Sequence, residues 1–212
     1  MSLQGYKSFE QVPAKHEIVF IGRSNVGKST LMRDLIGARV RVGRRPGVTQ
    51  KPNYYAYGDL LITDMPGYGY MRGVERAKQE RIKDLIVKYF EDNAARIVCA
   101  VQVIDAKSFV EVVDRWDGRG EIPVDVELND FLRELGIDVV LAPNKMDKIP
   151  YAERDAVLDG ICVRLHMLPP WKNWLGQLAP ISAKMNELGP LRTILKDKLR
   201  AAGLEKFVNV VK

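Results

Sequence analysis

The sequence predicts an α/β fold, a six-stranded and mostly parallel sheet with one antiparallel edge strand and helices on both faces. Two observations carry this. Short β-branched runs alternate with segments of helical period along the chain, the pattern of parallel strands joined by crossover helices. One pair of strands is joined instead by a Gly58-Asp59 turn, which makes a hairpin and the antiparallel partner. A length of 212 residues suits one domain spanning 1–212, with a short N-terminal lead (1–15) and an insert at about 107–123.

The elements follow in order. "HEIVFIG" (16–22) is a β-branched run entering a glycine turn and reads as a buried strand. "STLMRDLIG" (29–37) continues as a helix, with Leu31, Met32, Leu35 and Ile36 on one face and Gly37 as its stop. "NYYAYGDLLITD" (53–64) is the hairpin. From Val74 to Asn93, the residues Ile82, Leu85, Ile86, Tyr89 and Phe90 fall on one helical face. "RIVCAVQVID" (96–105) and "IDVVLAPN" (137–144) read as central strands, with a helix closed by Gly136 between them. Residues 151–168 read as a helix, "QLAPIS" (177–182) as the last strand and 187–202 as the final helix. "KSFVEVVDRWDGRGEIP" (107–123) and "LPPWKNWLG" (168–176) stand outside this rhythm.

Composition narrows the function classes. Hydrophobic residues at 46% and charged residues at 28% describe an ordinary globular chain rather than a disordered one. No apolar stretch is long enough for a membrane span, and the N-terminus lacks the apolar core of a signal peptide. Cys99 lies within an apolar run, so Cys99 and Cys162 read as buried thiols in a reducing cytoplasm. His16 and His166 are too isolated for a zinc site. A formal charge of +6 is a mild bias toward anionic partners.

Four motifs carry the chemistry. "GRSNVGKS", Gly22 to Ser29, matches G-x-x-x-x-G-K-[ST] and sits between a buried strand and a helix start, the context that pattern requires. Gly22 and Gly27 let backbone N–H groups meet phosphate oxygens, and the helix N-terminus adds partial positive charge. Lys28 reaches the β- and γ-phosphates, while the Ser29 hydroxyl is a Mg²⁺ ligand. Arg23, Ser24, Asn25, Val26 and Thr30 complete this loop around the nucleotide. Asp64-Met65-Pro66-Gly67 ends the second hairpin strand; Asp64 can hold Mg²⁺ through a water, and the Gly67 N–H can meet the γ-phosphate. Tyr68 follows, where many nucleotide hydrolases carry a glutamine that orients the attacking water.

"NKMD", Asn144, Lys145, Met146 and Asp147, ends another central strand. A carboxylate at Asp147 can accept from both N1–H and the amine of guanine, a bidentate contact that adenine cannot return. Asn144 braces the loop and approaches N7, and the Lys145 stem covers the base face. "ISAK", Ile181, Ser182, Ala183 and Lys184, follows the last predicted strand, where the Ala183 N–H can meet guanine O6. Between the first two motifs, "RVRVGRRPGVTQKP" (39–52) places Gly47, Val48, Thr49, Gln50 and Lys51 beside the nucleotide. Thr49 is the candidate second hydroxyl on Mg²⁺, and Lys28, Thr49 and Gly67 are the candidate catalytic residues. The basic residues of this stretch could be a solvated loop or a surface for RNA.

Four motifs in this order resemble a translation-factor-type GTPase domain, a P-loop NTPase fold, over nearly the whole chain. "GRSNVGKS", "RPGVTQ" and "DMPGYGYM" together resemble the EngB family of the TrmE–Era–EngA–EngB–septin GTPases. The resemblance implies a single-domain, cytoplasmic and monomeric GTP-binding protein. Its function would be slow hydrolysis of GTP to GDP during assembly of the large ribosomal subunit, meeting rRNA or ribosomal protein, with a link to septation and cell division. Asn25 occupies the position where relatives of this superfamily bind K⁺ beside the phosphates. Three departures from the bacterial pattern, asparagine at 144, the 107–123 stretch and "PPWKNW", imply an archaeal-type member. Two other readings remain: a P-loop kinase of a small metabolite, and a non-hydrolysing GTP-binding scaffold of the division machinery.

Overall fold

The computed structural model describes residues 4–6, 14–37, 51–69 and 75–212. Among these residues six strands form one sheet in the order β1-β3-β4-β2-β5-β6, where β1 is Gln4–Tyr6, β2 His16–Gly22, β3 Asn53–Tyr57, β4 Leu60–Asp64, β5 Ile97–Asp105 and β6 Val139–Asn144. β4, β2, β5 and β6 run parallel, so their C-terminal ends share one rim. β3 is antiparallel to both of its neighbours, β1 and β4.

Among the described residues, six α-helices cover the faces: α1 (Lys28–Ile36), α2 (Arg76–Asn93), α3 (Phe109–Asp117), α4 (Val124–Glu134), α5 (Arg154–Arg164) and α6 (Gly189–Ala201). The period-2 alternation of β2 feeds two cores. Val19 and Ile21 join Ile86 and Phe90 of α2, Leu132 of α4 and Ile161 of α5 on one face. Ile18 and Phe20 join Leu31 and Leu35 of α1, Leu195 and Leu199 of α6, and Phe207 on the other. At the N-terminal end of β2, fully buried Glu17 accepts hydrogen bonds from Thr63 and Tyr89 and pairs with Arg96 at 2.8 Å. A buried carboxylate is tolerable only with such a set of donors.

The α/β class, the parallel core and the hairpin agree with the sequence reading, and two details need correction. The strand expected at 177–182 is reduced to one parallel bridge, Leu141 with Leu178, although Ala179 and Ile181 still donate to β6 carbonyls at 2.8 Å. Pro143 of β6 has no N–H to give to the Ala179 carbonyl, which interrupts a regular ladder there. The antiparallel hairpin strand is not the edge, because Gln4–Tyr6 pairs outside it. Three residues without an apolar run gave that strand no signature in the sequence.

The stretch 107–123 contains α3, held to α5 by a two-pronged ion pair from Arg164 to Asp114 at 2.6 Å on each prong. The guanidinium holds the Asp114 carboxyl below its usual range. Trp116 is half-buried. The "PPWKNW" stretch forms a single short 3₁₀ turn at Trp171–Trp174. Both indoles pack against the core edge and donate outward, Trp171 to Asp155 at 2.9 Å and Trp174 to the Leu168 carbonyl at 2.7 Å. On α6, Leu191, Ile194, Leu195 and Leu199 are buried, as the periodicity predicts.

Candidate nucleotide site

The rim formed by the C-terminal ends of the parallel strands is where open α/β sheets bind ligands. β2 delivers Gly22 and the loop to Gly27, and α1 starts at Lys28. Gly27 has φ 96°, and a Cβ there would lie 2.4 Å from Asn144 Nδ2, so only glycine fits between the two loops. Asn25 also takes the left-handed conformation, at φ 67°. Lys28 is buried; its ammonium pairs with the Asp64 carboxylate and donates to the Met65 carbonyl at 2.6 Å. Ser29 and Thr30 follow in the first turn of α1, both partly exposed.

β4 delivers Asp64, which is fully buried. The chain beyond it keeps following β2: Met65 donates to the Phe20 carbonyl at 2.9 Å, and Tyr68 bridges Arg23. Gly67 lies directly on the first loop, where a Cβ would come within 3.0 Å of Ser24 Cα. The Ser24 N–H donates to the Tyr68 carbonyl at 3.3 Å.

β6 delivers Asn144, whose side chain joins three motifs. Its Nδ2 donates to the Val26 carbonyl at 2.7 Å, and its Oδ1 accepts from the Ala183 N–H at 2.9 Å. Lys145 has φ 70° and sends its ammonium to the Asn25 carbonyl at 2.9 Å and to Asp105 at 2.5 Å. Its stem therefore spans the gap between the base-recognition loop and the first loop. Exposed Asp147 accepts from the Ser182 hydroxyl at 2.7 Å, and Met146 is buried beneath it. Gly27, Thr30, Asn144, Lys145, Asp147 and Ala183 are among the residues that line a cavity of about 270 Å³. A second cavity, of about 230 Å³, lies across the first loop and is bordered by Arg23, Asn25, Asp105 and Ser108.

The structure thus brings together the residues of all four motifs. Gly47, Val48, Thr49 and Gln50 lie outside the described residues, and Lys51 is exposed at the edge of that stretch. Some expected contacts have other partners: the Ala183 N–H, expected to face a guanine O6, is satisfied by Asn144, and Lys28 and Asp64, expected at the phosphates and at Mg²⁺, pair with each other. Sequence reasoning missed Asp125, in the first turn of α4. It accepts from the Tyr68 hydroxyl at 2.8 Å and pairs with Arg23 at 3.6 Å. Behind it, Gln102 donates to the Asp125 carbonyl at 2.7 Å, and Asn129 donates to Gln102 at 2.8 Å. Burial, and then the Asp125 charge, hold the Tyr68 phenol well above its usual value. The available signal was Gln102 itself, a polar residue within a buried apolar strand.

A phosphate loop between a parallel strand and a helix, facing two further strand-end loops, defines a P-loop nucleotide-binding domain. Residues 17–145 match the family model described as 50S ribosome-binding GTPase. A probable GTP-binding protein EngB of Methanosarcina mazei is 56% identical over 86% of this chain and 88% of its own. One from Methanopyrus kandleri is 48% identical over 90% of this chain and 96% of its own. A crystal structure of a probable GTP-binding protein engB shares 44% identity at a TM-score of 0.78, covering 87% of this chain and 99% of that one. The chain belongs to the EngB family of GTP-binding proteins, as an archaeal-type member. Membership in this family of GTPases carries guanine-nucleotide binding with it. No helix among the described residues is long and apolar enough to cross a membrane.

Proposed function

We propose that this chain is a slow, Mg²⁺-dependent GTPase switch, a single cytoplasmic G domain that acts as a monomer on precursors of the large ribosomal subunit and supports normal cell division. The observation that carries the nucleotide part is the Asn144 side chain, which ties the phosphate loop at Val26 to the Ala183 loop while Asp147 stands exposed beside them. A kinase of small metabolites has no use for such a base-reading loop. The ribosomal part is supported by the family model's description, which names 50S ribosome binding.

In this reading Lys28 and the N–H groups of the first loop neutralise the phosphates, and Asp147 accepts from the guanine edge. Asn144 holds the two loops at one spacing, and Lys145 closes the base face while anchored on Asp105 and Asn25. For Ala183 to meet the base, its N–H must be shared with Asn144 or released by it. Gly67 senses the third phosphate, and Thr49 supplies the second hydroxyl for Mg²⁺.

The donors Ser29 and Asp64 are hard oxygens at one end of the phosphate loop. They fit a Mg²⁺ ion, which takes one or two protein oxygens alongside waters and phosphate oxygens, once Lys28 turns from Asp64 to the phosphates. Bound there, the ion would supply charge neutralisation. Asn25 borders the cavity beside the first loop and is the residue that would hold a K⁺. Tyr68 gives the slow intrinsic rate its basis. A phenol carries no amide to align the attacking water, whatever its hydroxyl bonds, so it cannot act as a glutamine would.

The test is nucleotide specificity. GTP and GDP should bind with ATP unable to compete at comparable concentration, and Asp147→Asn should lose GTP affinity while gaining xanthosine triphosphate. Comparable competition by ATP would remove the reading. Ribosomal subunits should be retained more strongly by GTP-loaded than by GDP-loaded protein, and equal retention would count against a switch.

A further inference from the structure

We propose that Asp125 is a positioning residue that clamps the segment after Gly67 onto the phosphate loop and thereby sets the balance between GTP and GDP. This rests on the reading that Gly67 senses the third phosphate. The geometry begins at Gly67, whose Cβ would lie 3.0 Å from Ser24 Cα and 3.1 Å from Ser24 N. No side chain fits between the glycine and serine backbones there, and the Ser24 N–H is used by the Tyr68 carbonyl. A phosphate sensed by the Gly67 N–H has to enter between these two backbones, so the 67–68 segment has to lift off the loop when it does.

Asp125 is what resists that lift. Its two oxygens reach the two halves of the contact, Tyr68 on the lifting segment at 2.8 Å and Arg23 on the phosphate loop at 3.6 Å. Asp125 is itself fixed, because its carbonyl accepts from Gln102 of β5 and Gln102 in turn is held by Asn129 of α4. The clamp therefore refers the segment to the rigid middle of the sheet. Tyr68 also borders an apolar cavity of about 150 Å³ between Ile86 of α2 and Leu128 of α4, which gives the ring room to shift once the hydroxyl is released. A diphosphate places no such demand on Gly67, so the clamp opposes GTP and leaves GDP alone.

The test measures the affinity of purified protein for GDP and for a non-hydrolysable GTP analogue in wild type, Tyr68→Phe, Asp125→Ala and the double variant. The clamp predicts that Tyr68→Phe and Asp125→Ala each raise the analogue affinity relative to GDP by about tenfold, the effect of one hydrogen bond to a charged group. The double variant should gain little beyond either single change, since both remove one link. An unchanged ratio, equal losses for both nucleotides, or fully additive effects would overturn the proposal. Should Asp125→Ala fail to fold, Tyr68→Phe removes one oxygen and keeps the ring, and its ratio decides alone. Absence of GDP binding by wild type would defeat the nucleotide reading itself, which is a separate outcome.

Discussion

Replacing Asn144 by alanine would cut a side chain that joins the phosphate loop to both base-side loops. The loss can be worked from its two contacts, Nδ2 to the Val26 carbonyl at 2.7 Å and Oδ1 from the Ala183 N–H at 2.9 Å. Val26 and Ala183 are 5% and 3% exposed, so water does not freely replace the lost partner. Each hydrogen bond contributes about 1 kcal/mol net, and a stranded buried donor or acceptor costs about 1–3 kcal/mol. Some water entry from the neighbouring cavity relieves this, so a loss of about 2–4 kcal/mol is expected. Urea unfolding followed by fluorescence reads it as a lower midpoint at unchanged slope. GDP affinity should fall at least about tenfold as well, because the loops lose their common spacer. Asn144→Asp is the control: it keeps an acceptor for Ala183 but sets a carboxylate against the Val26 carbonyl, and should do no better than alanine. A stability loss below about 0.5 kcal/mol together with unchanged GDP affinity would refute the reasoning.

Three further outcomes are expected. Turnover of GTP should rise when K⁺ replaces Na⁺ at fixed ionic strength, and equal rates would remove Asn25 from the mechanism. Glu17→Ala should cost about 3–5 kcal/mol in urea unfolding, since it breaks a buried ion pair and strips an acceptor from Thr63 and Tyr89. A loss under about 1 kcal/mol would show that the cluster relaxes without it. Burial pushes the Cys99 thiol up to about 12 and the Cys162 thiol to about 11, so almost no thiolate exists at pH 8. Iodoacetamide should therefore label neither until denaturant is added, with reactivity appearing only toward the alkaline limit; labelling of folded protein at pH 8 would contradict the burial.

The phosphate loop and the base-recognition loop were legible because each joins a fixed spacing to a strand end, and local sequence alone determines both. β2, β5 and β6 were legible for a related reason, since central parallel strands are unbroken apolar runs. The Asp125 clamp was not, because its members come from the first loop, the segment after Gly67, β5 and α4, and only the folded chain makes them neighbours. β1 and the weak ladder at 177–181 failed for the opposite reason. Their place depends on backbone pairing with a neighbour: three residues give β1 no side-chain pattern to read, while the pattern at 177–182 reads as a strand but does not show that Pro143 leaves a ladder bond unmade. The Ala183 contact shows the same limit at atomic scale, since a sequence motif names a donor but does not say which of two acceptors takes it.

The first strand has a consequence for how the molecule tolerates its neighbours. By pairing Gln4, Gly5 and Tyr6 with Ala56, Tyr55 and Tyr54, it occupies hydrogen-bonding groups along the outer side of β3. Shortening the chain past Tyr6 would leave that tyrosine-rich strand as a bare margin able to template pairing with other molecules. The damage would show as colloidal instability at high concentration.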